Sequence, residues 1–422
     1  MYKRPEQMSG SPEAVYELLD AVWTPALERA KGELAEMETL FKRDFPDSEF
    51  ASWDWWYYAE KLRKQNYSLD EEMLRPYFSL ENAKNGIFFL ANRLYGVTFR
   101  PIVAPVYNDE CYVYEVIDAD RSHLGVLYFD FFPRDGKSGG AWCGYFREQS
   151  YKDGERVAPV VGIVCNFTRP TQSTPALLTV DEVETLFHEF GHALHFLFHD
   201  VRYRGLSDVE GDFVELPSQI MENWAMQPQM LEHYATHYRN KEVIPQKLVD
   251  KLRRSTLFNQ GFTTTELVAA ALSDMDIHSQ TSYEQFDVEA FEKWSMRDKR
   301  GLIPQIEPRY RYPYFSHIFD GGYSAGYYFY IWAEVLDKDA FQAFVESGNL
   351  FDRKTAQRFR HLLERGGADD GRKLYHDFRG ADPDRRAMLL ARGLAEPEPE
   401  SEEEPAPQAD TNPSATVAEE FE

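Results

Sequence analysis

The chain has 422 residues, 43% of them hydrophobic, which is enough to bury a large core in one large domain or about two to three ordinary ones. Its 46 basic and 71 acidic residues give a net charge of −25, and an acidic surface repels phosphate backbones, so we expect no nucleic-acid partner. No apolar run reaches the roughly 18 residues that a membrane-spanning helix needs, which argues against a membrane protein. Three cysteines without a C-x-x-C pair, and an N-terminus without the apolar run of a signal peptide, predict a cytoplasmic location.

The first 98 residues are predicted to form a helical segment. Apolar residues recur at helical spacing from residue 12 to about residue 95. Ser11 and Pro12 have the residue types of a helix cap and a first turn, so the first helix is expected to begin there.

The pattern changes between residues 99 and 167. The runs "ECYVYEVID", "HLGVLYFDFF" and "APVVGIVCNF" are short, rich in β-branched and aromatic residues, and bounded by Gly, Pro, Asp or Asn. They predict a small sheet of about three to five strands. Helical patterns return at 177–393, and residues 395–422 are rich in Pro and Glu with almost no large apolar residues, which predicts a disordered acidic tail.

The segment "ETLFHEFGHALHFLF" contains an H-E-x-x-H motif formed by His188, Glu189 and His192. Thr179 and Glu182 precede it as a T-x-x-E capping box, which predicts a helix that begins just after Thr179. On that helix the two histidines lie one turn apart on one face, where their imidazoles can bind one Zn²⁺. Glu189 lies about 100° around the helix, a position from which a carboxylate can act as general base on a metal-bound water.

Chance is the main alternative, since a chain of this length and composition contains an H-E-x-x-H motif with a probability of roughly a few per cent. A metzincin would need Gly at position 195 and His at position 198, whereas this chain has His195 and Phe198, which excludes that class. We expect His195 to be structural or to support a ligand. A structural zinc site is disfavoured, because such sites are usually closed by four Cys or His ligands.

A catalytic zinc needs a third protein ligand, and the segment "GDFVELPSQIMENW" offers carboxylates in a second predicted helix. Asp212 is predicted to be the N-cap of that helix. Glu215 lies near the helix start with Pro217 in the first turn, and Glu222 follows two turns later on the same face. A glutamate on a helix surface most often faces solvent, so spacing alone does not select the ligand.

A third motif, "SHIFDGGYSAGYYFYIWAEVL", is rich in tyrosine. Tyr323, Tyr327 and Tyr330 are spaced i, i+4 and i+7, which predicts that they share one face of a helix after the Gly321–Gly322 turn. A row of phenols can donate hydrogen bonds to a peptide carbonyl or to an oxyanion, and His317 before the turn adds another donor. A tyrosine-rich helix is nevertheless more often part of a core than of a catalytic site.

The three motifs together resemble the thimet-oligopeptidase and peptidyl-dipeptidase family of zinc metallopeptidases, most closely over residues 160–394. The resemblance implies a mainly α fold with a small β-sheet (α+β), in which a zincin-like catalytic domain at 99–394 belongs to a mostly helical, channel-type enzyme. It also implies that His188, His192 and Glu215 bind one Zn²⁺ and that Glu189 is the general base.

Further roles follow from the same resemblance. Glu184 and Glu222 are expected behind the ligands, and Glu184, one turn before His188, is expected to orient a zinc-binding histidine. His317, Tyr323 and Tyr330 are expected to take part in catalysis, and Tyr327 to bind substrate together with His317 and Tyr323.

The expected function is zinc-dependent hydrolysis of peptide bonds in short peptides. The motifs leave open whether the chain cuts internally, as an oligopeptidase, or releases C-terminal dipeptides, and they leave the oligomeric state open. An extended substrate is expected to add to a sheet edge along 139–143 or 160–166. Much of the helical N-terminal half typical of the family is absent before the zinc helix, so the alternative is a catalytically silent peptide-binding protein.

Overall fold

The structure is a computed structural model that describes residues 7–282, 284 and 286–396. Within these residues the fold is mainly helical with a small sheet, which confirms the predicted fold class. All but the first two residues of the predicted acidic tail lie outside the described residues.

Three α-helices precede the sheet. The first begins at its predicted cap, because the Ser11 hydroxyl accepts a hydrogen bond from the Ala14 N–H at 3.2 Å. Their bounds are α1 (Pro12–Asp44), α2 (Trp55–Tyr67) and α3 (Leu80–Tyr95).

The main sheet has five strands in the order β1-β2-β3-β7-β4, and β5 and β6 form a separate hairpin. β3 and β7 are parallel, whereas the other neighbours in the main sheet are antiparallel. The bounds are β1 (Thr98–Pro101), β2 (Tyr112–Ile117), β3 (His123–Asp130), β4 (Trp142–Arg147), β5 (Ser150–Lys152), β6 (Glu155–Val157) and β7 (Val160–Val164).

This strand order corrects one expectation. Residues 160–166 are not an edge, because β7 is hydrogen-bonded to β3 on one side and to β4 on the other. Within the described residues the two edges of the sheet lie on β1 and β4, and β4 includes the last two residues of the other expected stretch, 139–143.

The remaining α-helices follow the sheet. They are α4 (Val180–Phe198), α5 (Leu216–Ala225), α6 (Pro228–Tyr234), α7 (Gln246–Ser255), α8 (Gln260–His278), α9 (Val288–Lys293), α10 (Ser316–Phe319), α11 (Phe329–Glu346), α12 (Arg353–Glu364), α13 (Gly371–Arg379) and α14 (Arg385–Ala391). Of the helices in the described ranges, none combines the length and the apolar character needed to cross a membrane.

Two hydrophobic cores hold these elements together. In the first, α4 packs against the main sheet on one side and against α5 on the other, and α3 and α12 enclose it. In the second, α1 lies along α8, and α2 and the start of α11 complete the cluster. The predicted division of the chain at residue 98 remains a prediction, and α1 and α3 contribute to different cores.

The N-terminus of α8 is fixed by a side chain from α1. The Glu33 carboxylate accepts hydrogen bonds from the backbone N–H groups of Gly261 and Phe262, both at 2.9 Å. These N–H groups have no partner within their own helix, so the carboxylate satisfies them and also benefits from the helix dipole. These bonds tie the start of α8 to α1.

Candidate active site

The helix that carries the H-E-x-x-H motif begins as predicted. The Thr179 hydroxyl accepts a hydrogen bond from the Glu182 N–H at 3.0 Å, and the Glu182 carboxylate accepts one from the Thr179 N–H at 2.9 Å. This reciprocal capping box confirms the start of α4.

Gly191, inside the motif, is the point where α4 and α5 meet. A Cβ atom there would lie 2.1 Å from the carbonyl oxygen of Pro217 and 2.6 Å from the Cα of Ser218. Both are backbone atoms, so they cannot move aside as a flexible side chain would. The absence of a side chain at this position therefore allows the backbone of α5 to lie directly against the metal-ligand helix.

Three side chains with metal-ligand chemistry converge at this contact. Nε2 of His188 lies 3.3 Å from Oε2 of Glu215, and Nε2 of His192 lies 3.2 Å from the same oxygen. Within the described part of the chain, this is the one group of three His, Cys, Asp or Glu residues whose ligand atoms lie within 4.8 Å of one another. Two imidazole nitrogens and one carboxylate oxygen are a donor set that suits Zn²⁺ with a position left open.

The electrostatics of the cluster also favour a cation. Burial opposes ionisation of Glu215, but His192 and His188 outweigh it and hold the pKa of the carboxyl well below its usual value. Burial likewise opposes protonation of His188, yet hydrogen bonds to Glu215 and Glu222 raise its pKa well above the usual value. Two carboxylates, Glu215 and Glu222, therefore flank His188, and their negative charge favours a cation beside them.

Glu222 orients one of the histidines. Its Oε1 lies 2.6 Å from Nδ1 of His188, so the ring presents Nε2 to Glu215. Glu184, also predicted to orient a histidine, instead lines a cleft of about 620 Å³ that it shares with Glu222 and Lys338. Burial, and then the charge of Glu222, raise the pKa of Glu184 to about 8. Among the described residues the contact to Nδ1 of His188 comes from Glu222, and the role of Glu184 remains a prediction.

Glu189 is buried beside the ligands. Its Oε2 has no hydrogen-bond partner among the described residues, so this oxygen is free to accept a proton. Burial raises the pKa of Glu189, while His192 and His188 act in the opposite direction. His195 lies outside the ligand group and packs against the ring of His199 at 4.5 Å.

The tyrosine motif differs from the prediction. α11 begins only at Phe329, so Tyr323 and Tyr327 lie on turns before the helix and the expected single helical face was wrong. The reason is local: Gly322 has φ +88° and Ala325 has φ +51°, both in the left-handed region, which interrupts a right-handed helix. We call residues 321–328 the tyrosine loop.

The loop still brings the predicted rings together. Tyr323 stacks on Tyr330 at a centroid distance of 5.4 Å, and Tyr327 meets Tyr330 edge to face at 5.2 Å. The Tyr323 hydroxyl donates a hydrogen bond to Oε1 of Glu215 at 2.8 Å, which connects the loop directly to the ligand cluster. Burial and the Glu215 charge raise the pKa of Tyr323, so its phenol keeps its proton.

His317 belongs to the same group of rings. Its ring lies 5.6 Å from that of Tyr327 and 6.2 Å from that of Tyr323, and burial lowers its pKa, which favours the neutral imidazole. Tyr310, which sequence reasoning missed, lies 5.3 Å from His317 and 6.2 Å from Tyr327. The signal that could have found it was the alternation of Arg and Tyr in "PRYRYPYFSH", directly before the third motif.

Asp212 is not the N-cap of α5, because Glu215 occupies that position. The Asp212 carboxylate is fully buried and accepts hydrogen bonds from the N–H groups of Met8 and Ser9, both at 2.9 Å, and from the Tyr328 hydroxyl at 2.8 Å. Its role is therefore to tie the N-terminal segment to the tyrosine loop.

Comparison with known proteins places the chain among peptidases. Residues 2–394 match the family model described as Peptidase family M3. The dipeptidyl carboxypeptidase of Salmonella typhimurium is 43% identical over 399 residues, which cover 93% of this chain and 58% of that protein. The oligopeptidase A of the same organism is 37% identical over 396 residues, which cover 92% of this chain and 58% of that protein.

The chain thus spans less than two thirds of the length of these two relatives. The match nevertheless includes the capped helix, the convergent ligand group and the tyrosine loop described above, and it confirms the resemblance noted from the motifs. The chain belongs to peptidase family M3.

Proposed function

We propose that this chain hydrolyses peptide bonds in short peptides and that His188, His192 and Glu215 hold one Zn²⁺ for the purpose. The observation that carries the proposal is the convergence of two imidazole nitrogens on one buried carboxylate oxygen, with the free carboxylate oxygen of Glu189 in the next helical position. The donor set is that of a catalytic zinc rather than of a closed structural site.

The residues divide the chemistry between them. A Zn²⁺ bound here supplies an acidified water and a polarised scissile carbonyl. Glu189 accepts a proton from the attacking water and passes it to the leaving amine. Glu222 keeps the His188 ring in the orientation that presents Nε2 to the ligand group.

The tyrosine loop provides the opposite wall of the reaction centre. Burial, as the largest cause, raises the pKa of both Tyr323 and Tyr330, so both phenols remain hydrogen-bond donors. Tyr330 and His317 can donate to the oxyanion that forms when water adds to the peptide carbonyl, and Tyr323 joins them once its hydroxyl turns from Glu215 to the substrate. Tyr327, which is buried between Tyr330 and His317, supports from behind the rings that face the substrate.

The substrate is an extended peptide that adds to the free edge of β4. α4 packs directly against this strand, so a peptide paired with it lies next to the zinc ligands. Main-chain hydrogen bonds to an edge strand bind a peptide with little dependence on its sequence, which suits an enzyme for varied short peptides.

The alternative of a catalytically silent peptide-binding protein is not favoured. Such a protein would have no need to keep the base, the three ligands and the oxyanion donors all in place, and the relatives are named as peptidases. We also propose a cytoplasmic location, because all three cysteines are free thiols, as expected in a reducing compartment.

The test is mass spectrometry of the products that the zinc-loaded chain forms from short peptides, each supplied with a free and with an amidated C-terminus. Cleavage that a chelator abolishes and zinc restores would support the proposal. Dipeptides released only from free C-termini would define a peptidyl-dipeptidase, and internal cuts that ignore the terminus would define an oligopeptidase. A folded, zinc-loaded chain that cleaves none of the peptides would overturn the proposal.

A further inference from the structure

The backbone of the tyrosine loop is hydrogen-bonded to a buried carboxylate on α8. Asp274 is fully buried, and its Oδ1 accepts a hydrogen bond from the N–H of Ala325 at 2.8 Å. Its Oδ2 accepts two more, from the N–H groups of Gly326 and Tyr327, each at 2.8 Å. One side chain thus binds three consecutive backbone groups of the loop from a position about fifty residues earlier in the chain.

The loop needs such a support. Ala325 has φ +51°, a left-handed conformation that is costly for a residue with a Cβ atom and persists only where the surroundings impose it. Three hydrogen bonds to one ionised carboxylate are the strong, charge-assisted kind. They also point the three N–H groups at a single site, which fixes the backbone on both sides of the strained residue.

His278 completes the arrangement. It lies one turn after Asp274 on α8, and its Nδ1 is 2.7 Å from Oδ1 of Asp274. Burial lowers the pKa of this histidine, but the hydrogen bond to Asp274 outweighs it and raises the pKa above the usual value. Because His278 contacts Oδ1, Oδ2 remains available to Gly326 and Tyr327, and the plane of the carboxylate is fixed.

We infer that Asp274 is a positioning residue for catalysis: it holds the tyrosine loop in the conformation in which Tyr323 reaches Glu215 and Tyr327 packs on Tyr330. The inference rests on the proposed peptidase function for its catalytic consequence. The geometry itself is independent of that function, because the Tyr323 hydroxyl contacts Glu215 at 2.8 Å in the described structure. Asp274 touches no reacting atom and acts only through the loop.

Asp276 offers a matched control on the same helix. It is also buried, but it faces away from the loop and pairs with Arg300, with Lys299 at 2.9 Å, and with the Ser295 hydroxyl. Substitution of either aspartate by asparagine changes one buried carboxylate on α8 to an amide of the same shape. Only the change at position 274 alters the bonds to the loop.

The first readout is amide hydrogen exchange of the full chain. An asparagine at position 274 can present one oxygen to the loop, so its amide group faces at least one N–H donor and cannot keep all three bonds. We expect Asp274→Asn to speed exchange at residues 325–327 by about tenfold or more. Asp276→Asn should leave exchange at these amides as in the wild type.

The second readout is a double-mutant cycle on peptide hydrolysis. We expect Asp274→Asn to lower kcat by about 10- to 100-fold with little change in KM, as for the loss of transition-state donors. In a Tyr323→Phe background the same change should cost much less, since the group through which Asp274 acts is already missing. A merely structural loss would lower both backgrounds equally.

Each outcome decides something. Unchanged loop exchange in Asp274→Asn, or an effect that multiplies in full with Tyr323→Phe, would overturn the inference. If the wild type cleaves no peptide, the proposed function fails alone, and the exchange comparison still tests the inference. Should Asp274→Asn fail to fold, Ala325→Pro disrupts the same contact from the loop side, because proline lacks the N–H and cannot adopt φ +51°. This variant should speed amide exchange at residues 326 and 327 and should lower kcat, as expected for Asp274→Asn.

Discussion

The half of the site that carries the proposed zinc ligands and the half that carries the tyrosines face one another but stand on different kinds of backbone. His188, His192 and Glu189 project from one capped helix, and Glu215 from the start of the next. Tyr323 and Tyr327 instead stand on a loop whose backbone includes a left-handed alanine, and Tyr330 lies at the start of the helix that follows. The first half is fixed by regular helix geometry and a close helix contact, whereas the backbone of the second is held at residues 325–327 by a buried carboxylate about fifty residues earlier in the chain.

This difference has a physical consequence. A helix maintains the spacing of its side chains through its own hydrogen bonds, so His188 and His192 keep their relative positions wherever α4 is folded. A loop has fewer bonds of its own and opens at lower free energy. We therefore expect that changes in the helical half affect metal binding and proton transfer, while changes beneath the loop affect transition-state stabilisation with the metal retained.

The largest effect is expected for Glu189→Gln. Glutamine keeps the shape of the side chain but cannot accept the proton, so kcat should fall by about 10²- to 10⁴-fold. The zinc content should stay at that of the wild type, because Glu189 is not among the convergent ligands. Steady-state kinetics on a short peptide together with zinc analysis of the same sample would check both points. Turnover near the wild-type rate would refute Glu189 as the base.

The next largest effect is expected for Gly191→Ala. The new Cβ would meet the Pro217 carbonyl oxygen at 2.1 Å, so α4 and α5 must separate, at a cost of about 1–3 kcal/mol or more in the free energy of unfolding. Zinc binding should weaken as Glu215 moves away from the histidines.

Gly32→Ala is the matched control for this change. Gly32 lies in α1 and is exposed, and a Cβ atom added there would have no other atom within 4 Å, so alanine should raise stability by about 0.5–1 kcal/mol. Urea unfolding of both variants and their zinc content give the comparison. Equal tolerance of alanine at the two positions would contradict the close helix contact.

A smaller effect is expected for Glu222→Gln. The carboxylate 2.6 Å from Nδ1 of His188 fixes the ring and increases its basicity, and loss of such a partner weakens metal affinity by about 10- to 100-fold. Competition with a chromogenic chelator at constant pH measures this change. Hydrogen exchange in the tyrosine loop should stay unaltered, since the loop is held from α8. Faster amide exchange in the tyrosine loop without a loss of zinc affinity would contradict the view that Glu222 acts on the metal ligands and not on the loop.

The smallest effect concerns pH and the far side of α8. Burial raises the pKa of Asp276, but Arg300, Ser295 and Lys299 outweigh it and hold the pKa below its usual value. In the unfolded chain this carboxyl has a pKa of about 3.9. Its contribution to stability is therefore complete above that pH and is lost as the pH falls through the lower pKa of the folded state. Urea unfolding of the wild type between about pH 2 and 6 should show an acid-side loss of stability, and this loss should be smaller in Asp276→Asn, because other carboxyls with lowered pKa values, such as Glu215, still contribute to it. Parallel pH curves for the two proteins would argue against the charge cluster.

The same division explains what could be predicted from the sequence. The capping box and the one-turn spacing of the histidines are local signals, and the structure confirms the helix they predict. Glu215 was selected by family resemblance rather than by spacing, because a glutamate near a helix start has many possible roles. Its convergence with the histidines depends on the contact at Gly191, which sequence spacing does not reveal.

The tyrosine loop and the strand order could not be predicted in this way. The i, i+4, i+7 spacing of the tyrosines is typical of a helix, but Ala325 has a left-handed backbone and its N–H donates a hydrogen bond to Asp274. A contact between residues so far apart in the chain leaves no local sequence pattern. β7 likewise lies between β3 and β4, inside the sheet, although its sequence pattern does not distinguish it from an edge strand. Alternation of apolar residues predicts a strand but not its neighbours.

The free edge of β4 also makes the protein prone to self-association. A strand edge that can pair with a peptide can equally pair with the same strand of another copy, and Trp142 and Phe146 on β4 are 51% and 59% exposed. The net charge of −25 opposes this, since two copies repel each other before their edges meet. High salt weakens that repulsion, so concentrated samples in high salt should aggregate through β4 first, and an added short peptide should protect against it.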